Sequence, residues 1–294
     1  MDCNSQNRVH METLLFDSAY QLWRLFNDNL MLRAIYAFIG GALIGSFLNV
    51  VVYRYPKILA NNAVADMMIM HPNSIQLSQA EKLMNDVSLG GRSVTPCCNR
   101  QIKAWHNIPI ISWLLLKGRC GYCEKKISPR YLILELAMAT VMASVALYGV
   151  GNSQLLLLCG VTAVLITVGC IDFKYQLIPT IFSVLLALFC ILIVHFQLVE
   201  TTMIEGLMSA ISAYTILSSA NKLTFKYKGH VMVGGGDIEF VAASSIALGF
   251  TQTFSALAFA VIACFLFNRK RKGEVTLGHY IAFVIWPLFL VNLT

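Results

Sequence analysis

At 294 residues the chain is 57% hydrophobic and only 13% charged, with 22 Lys and Arg against 15 Asp and Glu for a net charge of +7. A soluble domain carries roughly a quarter charged residues, so this composition excludes a soluble globular protein, and lipid leaves a helical membrane protein as the class that fits. The excess of Lys and Arg reports which loops stay in the cytoplasm and calls for no nucleic-acid partner.

The chain does not open on a basic stretch, a short apolar core and an Ala-x-Ala-like site, so no cleaved signal peptide is expected. Residues 1–33 are mixed. Leu14, Leu15, Leu22, Leu25 and Phe26, with Arg24 and Asp28 among them, suit a short amphipathic segment on the outer, periplasmic side, or an ordinary tail. Residues 34–52 carry no charge and form the first expected span, with Gly40, Gly41, Gly45 and Ser46 available for close helix contact. Tyr53-Arg-Tyr-Pro56 is expected to end it at the interface.

Residues 54–130 hold eleven Lys and Arg against four acids, Asp66, Glu81, Asp86 and Glu124, which places this segment in the cytoplasm. Its apolar stretch at 108–116 is too short to span and is expected at the interface or on the bundle. Trp105, Trp113 and Tyr122 read as membrane-surface aromatics.

From residue 131 to 294 the chain is nearly continuous membrane. Spans are expected near 131–150, 154–171, 181–199, 203–220, 238–250, 253–267 and 279–293. Treating 238–267 as two short spans keeps Lys222, Lys226 and Lys228, and the run Arg269-Lys-Arg-Lys272, on the inner side. The expected fold is therefore all-α and polytopic. It has about eight transmembrane helices and a cysteine-containing cytoplasmic loop after the first.

That count puts two acids, Asp172 and Asp237, at the cytoplasmic ends of different helices. An ionisable group at the edge of an apolar run defaults to a functional hypothesis. Asp237 follows three glycines in Val231-Met-Val-Gly-Gly-Gly-Asp-Ile-Glu239. Two nearby carboxylates share a proton, so one activates water as base while the other protonates the scissile group. Gly234, Gly235 and Gly236 would let an extended substrate approach. The bland alternative pairs each acid with a lysine such as Lys174. Glu135 and Glu205 also interrupt apolar runs and read first as satisfied packing acids.

The cytoplasmic segment carries Thr95-Pro-Cys-Cys98 and Cys120-Gly-Tyr-Cys123. The second has metal-ligand spacing, and a Cys₄ zinc site would need a like pair upstream, where Thr95 stands in the first place. A zinc knuckle of Cys97, Cys98, Cys120 and Cys123 and a metal-free loop both remain open. Cys159, Cys170, Cys190 and Cys264 read as small core residues.

These motifs together resemble the type IV prepilin peptidases, bifunctional leader peptidase/N-methyltransferases of bacterial inner membranes. The matching text is Gly45-Ser-Phe-Leu-Asn-Val-Val-Val-Tyr-Arg54, Ile102-Lys-Ala-Trp-His-Asn-Ile-Pro-Ile-Ile-Ser-Trp-Leu-Leu-Leu-Lys-Gly-Arg-Cys120, Ile127-Ser-Pro-Arg-Tyr131, Ile171-Asp172 with Ile178-Pro179, and Gly234-Gly-Gly-Asp237. The resemblance implies that Asp172 and Asp237 are the catalytic aspartates of a Gly-x-Gly-Asp membrane protease. It implies cleavage of a type IV prepilin or pseudopilin leader after a glycine, with the active site facing the cytoplasm. N-methylation of the new terminus from S-adenosylmethionine would follow, with Gly118 and Arg119 at the matching position. This chain departs from the family at Thr95, Thr180 and Glu239, where a Cys, an acid and a Lys are usual. No Gly-x-Gly-x-x-Gly marks a soluble cofactor fold. The competing readings are a peptidase without methyl transfer and an ion- or proton-coupled transporter.

Overall fold

A computed structural model describes residues 29–70, 88–95, 97–148, 151–231, 233–268 and 277–291. The expected amphipathic segment before residue 29, the basic run at 269–272 and residues 71–87 of the polar cytoplasmic segment lie outside these described residues. Regular structure among the described residues is helical, apart from two isolated antiparallel bridges, Val94 with Gln101 and Arg119 with Lys126. In chain order the helices are α1 (Leu30–Met70), α2 (Ile111–Leu115), α3 (Arg130–Leu147), α4 (Asn152–Tyr175), α5 (Thr180–His195), α6 (Met203–Lys228), α7 (Gly235–Asn268) and α8 (Gly278–Val291). A short 3₁₀ turn covers Ala104–Asn107.

Leu30–Met67, Arg130–Leu147, Gln154–Tyr175 and Gly235–Phe267 are long and apolar enough to cross a membrane, and α5 and α8 are apolar but shorter. The chain divides into two compact units, one of Met1–Ser46 with Ala104–Leu155 and the other of Phe47–Lys103 with Leu156–Thr294.

In the first unit, the early part of α1 packs on α3 through two glycines spaced four apart. A Cβ on Gly41 would fall 2.7 Å from the Met138 carbonyl oxygen, and one on Gly45 would fall 2.8 Å from Glu135 Cα. Lipid provides no hydrophobic drive between helices, so backbone approach at small residues supplies the packing. Gly40 has no described neighbour within 4 Å and plays no part in this contact. Glu135 is a satisfied packing acid: its Oε2 accepts the Ile110 N–H at 2.7 Å. That bond holds Ile110 at φ 62, ahead of α2, whose Ile111, Leu114 and Leu115 are exposed. A short helix with an uncovered apolar face suits the interface.

Helix α1 does not end at residues 53–56 but continues through Pro56 to Met70. Proline removes one backbone hydrogen bond and bends a helix locally. Residues 57–70 carry enough Ala and Met to resume it. Arg54, on the turn before Pro56, donates to the carbonyls of Ser88, Gly91 and Arg92 at 2.8, 3.0 and 3.1 Å.

In the second unit α7 packs against α5, α6 and α8. Gly206 of α6 lies against the Ile246 carbonyl of α7 with no room for a Cβ. Helix α7 is broken at Gly249, whose φ 71 and ψ 176 only glycine adopts without strain. Thr201 and Thr253 hydroxyls donate to the carbonyls of Ala247 and Gly249 at 2.9 and 2.7 Å beside the break. The division expected at residues 250–253 is thus a single residue, one position earlier. Helix α6 extends beyond the expected end near 220 to Lys228, where Gly229 stops it at φ 74. Its start is a capping box in which Thr202 and Glu205 satisfy each other's backbone N–H, which explains Glu205.

Candidate active site

Helix α4 ends just after Asp172. Gln176 donates its N–H to the Asp172 carbonyl oxygen at 2.9 Å and turns out of the helix at φ 55. Ile178 and Pro179 then run extended into α5. Asp172 is 3% exposed at the carbonyl end of a helix, where both burial and the helix dipole disfavour a carboxylate. The first turn of α8 offsets this. The His279 backbone N–H and ring Nδ1 both reach Asp172 Oδ2, at 2.8 and 2.9 Å. A helix N-terminus presents N–H groups without intrahelical partners, and an anion completes them.

Asp237 stands in the first turn of α7, where the same dipole favours it. The loop before it is shaped from α6. The Asn221 amide donates to the Val233 carbonyl at 2.6 Å and accepts the Val233 N–H at 3.0 Å. The three glycines then have different neighbours. A Cβ on Gly234 would sit 3.0 Å from Asp237 Oδ2, and one on Gly236 would sit 2.6 Å from the Ile178 carbonyl oxygen, whereas Gly235 faces open space.

Gly278 brings the two acids into one place. A Cβ on it would lie 2.9 Å from Asp237 Oδ1, 3.0 Å from Asp172 Cγ and 2.5 Å from Ile178 Cδ1. The two carboxylates therefore face each other across a glycine of α8. Asp237 Oδ1 is buried and has no hydrogen-bond partner among the described residues. Lys174 points elsewhere, donating to the Tyr175 hydroxyl at 2.8 Å. Buried paired carboxylates with one unpartnered oxygen can hold a water and share a proton.

The cysteines occupy two turns of the same local design. In the first unit, Cys120 N–H donates to the Lys125 carbonyl and Glu124 N–H to the Cys120 carbonyl, with Glu124 at φ 57 and the Arg119–Lys126 bridge outside them. In the second unit, Thr95 N–H donates to Arg100 and Asn99 N–H to Thr95, with Asn99 at φ 54 and the Val94–Gln101 bridge outside. Thr95 therefore holds the place that Cys120 holds in the other turn, and its Oγ1 lies 3.0 Å from Cys98 Sγ. Gly118 is at φ 66, and the space its Cβ would fill is taken by the Trp113 ring, 2.6 Å away. That glycine serves a turn; Arg119 beside it is exposed.

Two family models match the chain: the bacterial peptidase A24 N-terminal domain over residues 39–148 and the type IV leader peptidase family over residues 157–268. A prepilin leader peptidase/N-methyltransferase of Pseudomonas aeruginosa is 30% identical over 265 residues, 85% of this chain and 87% of that protein. The chain belongs to the type IV leader peptidase family. Other relatives carry related descriptions. The prepilin leader peptidase/N-methyltransferase of Aeromonas salmonicida is 29% identical over 95% of both chains. A type 4 prepilin-like proteins leader peptide-processing enzyme of Escherichia coli is 34% identical over 55% of this chain and 57% of its own. No solved structure matches the chain.

The leader peptidase model contains both Asp172 and Asp237 but stops before Gly278 and His279. Sequence reasoning missed those two and Asn221. No apolar period or motif singles them out, since each acts through a partner distant in the chain. Membership of a peptidase family does not favour the transporter reading.

Proposed function

We propose that the protein is a bacterial inner-membrane prepilin leader peptidase/N-methyltransferase, with Asp172 and Asp237 as its catalytic pair. The observation that carries the pair is the placement of both carboxylates against Gly278. One ionised aspartate takes a proton from water as the water oxygen bonds to the scissile carbonyl carbon. The other aspartate gives its proton to the carbonyl oxygen. On collapse the C–N bond breaks, the leaving amine takes the proton held by the first aspartate, and a hydroxyl of the tetrahedral intermediate returns one to the second. Burial of Asp172 lets these charges interact more strongly than they would in bulk solvent.

The substrate class is a type IV prepilin or pseudopilin, cut after a glycine on the cytoplasmic side. Its extended backbone has room to pass at Gly235. For methyl transfer, S-adenosylmethionine would supply the methyl group to the new terminal amine. Gly118 and the exposed Arg119 are the candidates to hold it, the guanidinium suiting the cofactor's carboxylate. The two knuckle turns offer four thiols, Cys97, Cys98, Cys120 and Cys123, a donor set that suits zinc. With Thr95 in place of a cysteine, the fourth ligand would be Cys97 or a group from elsewhere.

Mass spectrometry of a prepilin co-expressed with this protein tests the reading. The expected product is cleaved after glycine and heavier by one methyl group, and Asp172→Asn and Asp237→Asn each leave the prepilin uncut. Cleavage without the methyl group would reduce the protein to a peptidase. Unaffected cleavage by either variant would remove that aspartate from the pair.

A further inference from the structure

The ring of His279 adds a third titratable side chain to the aspartate pair. Its Nδ1 and its backbone N–H converge on the same oxygen, Asp172 Oδ2, at 2.9 and 2.8 Å. The ring is held from the sides by Phe173, at 5.7 Å between centroids and nearly perpendicular, and by Tyr280 at 4.1 Å. Its side chain is only 21% exposed. Asp237, by contrast, keeps a buried Oδ1 with no partner among the described residues. The two acids are thus unequally partnered.

We propose that His279 is a positioning residue that fixes Asp172 as the ionised member of the pair by anchoring its Oδ2, which leaves the shared proton to Asp237. With its ring proton on Nδ1, His279 gives Oδ2 a second N–H beside its backbone one, and two donors on one oxygen favour the charged carboxylate over the neutral acid. Anchoring Oδ2 also stops the carboxylate from rotating, and Oδ1 remains for the water. Asp172 then serves as the base and Asp237 as the proton donor in every turnover, instead of exchanging roles. The inference rests on the catalytic pair proposed above.

The test is a kcat and KM series for cleavage of a purified prepilin by full-length protein in detergent or lipid. Asn at position 279 carries an amide N–H at the same bond separation from Cα as Nδ1, whereas Gln carries it one bond farther and Ala has none. We expect His279→Ala and His279→Gln to lower kcat by about 10- to 100-fold, the loss of a hydrogen bond to a charged group. KM should stay within about two-fold, since the bond acts on the reacting group and not on substrate binding. His279→Asn should recover most of the rate. The proposal is overturned if Asn and Ala fall together, because the ring would then only pack. It is equally overturned if KM rises at constant kcat, or if no variant loses rate. Asp172→Asn and Asp237→Asn run beside them separate the two ideas. An active aspartate variant sinks the catalytic pair itself, whereas inactive aspartate variants with indifferent His279 variants sink only the positioning role.

Discussion

Each acid singled out in the apolar runs has its own local reason. Asp172 closes the N-terminus of α8, Asp237 opens α7, Glu135 holds the Ile110 backbone and Glu205 caps α6. The first two differ from the others in lying together against Gly278, and that is why we propose them as the catalytic pair. Gly278 is the residue on which this depends. Gly278→Ala would push a methyl group into Ile178 and both carboxylates, so cleavage should fall by at least about 100-fold, the loss expected when catalytic groups are misplaced by about an ångström. Protein level in the membrane should hardly change, and prepilin cleavage together with immunoblotting separates the two effects. Gly235→Ala should be milder than Gly236→Ala, because Gly235 is open while Gly236 meets the Ile178 backbone; single-turnover cleavage of the two variants ranks them.

At the scale of elements, α7 is defined by its break. Gly249→Ala asks an L-residue to hold φ 71 with ψ 176 and should cost about 1–3 kcal/mol, read as a lowered unfolding temperature in detergent. Thr202→Ala removes half of the capping box on α6 and should cost about 1 kcal/mol by the same measurement. The sequence pattern already required an interruption here, because Lys and Arg had to stay on one side of the membrane. It could not say that one glycine suffices. Residues 250–253 remain helical because two threonine hydroxyls stand beside the break to satisfy carbonyls.

For the molecule as a whole, the two compact units do not follow the two family models: residues 47–103, with the Thr95 turn, belong to the second unit although the N-terminal model covers residues 39–148. The twin turns around Thr95 and Cys120 carry a prediction at this scale. Purified protein should hold zinc, and Thr95→Cys should make that zinc harder to remove with chelator by restoring the ligand that the Cys120 turn already has. Metal analysis after graded chelation measures it, and zinc-free wild-type protein would leave the turns as plain loops. If the metal holds the N-terminal domain together, stripping it should lower methylation more than cleavage.

Composition and charge order alone determined a great deal: the membrane class, the helical make-up of the chain, and the two aspartates worth testing. Those follow from one-dimensional rules, since lipid demands apolar runs of fixed length and buried charge demands a reason. Only the tertiary structure decided that α1 runs through Pro56, that the Trp113 ring packs on Gly118, that Gly278 and His279 lie against Asp172, and that Asn221 holds the Val233 backbone. His279 meets an acid 107 positions earlier in the chain, and Asn221 meets Val233 of the glycine loop. Contacts of that kind are set by how helices pack, which no local pattern records.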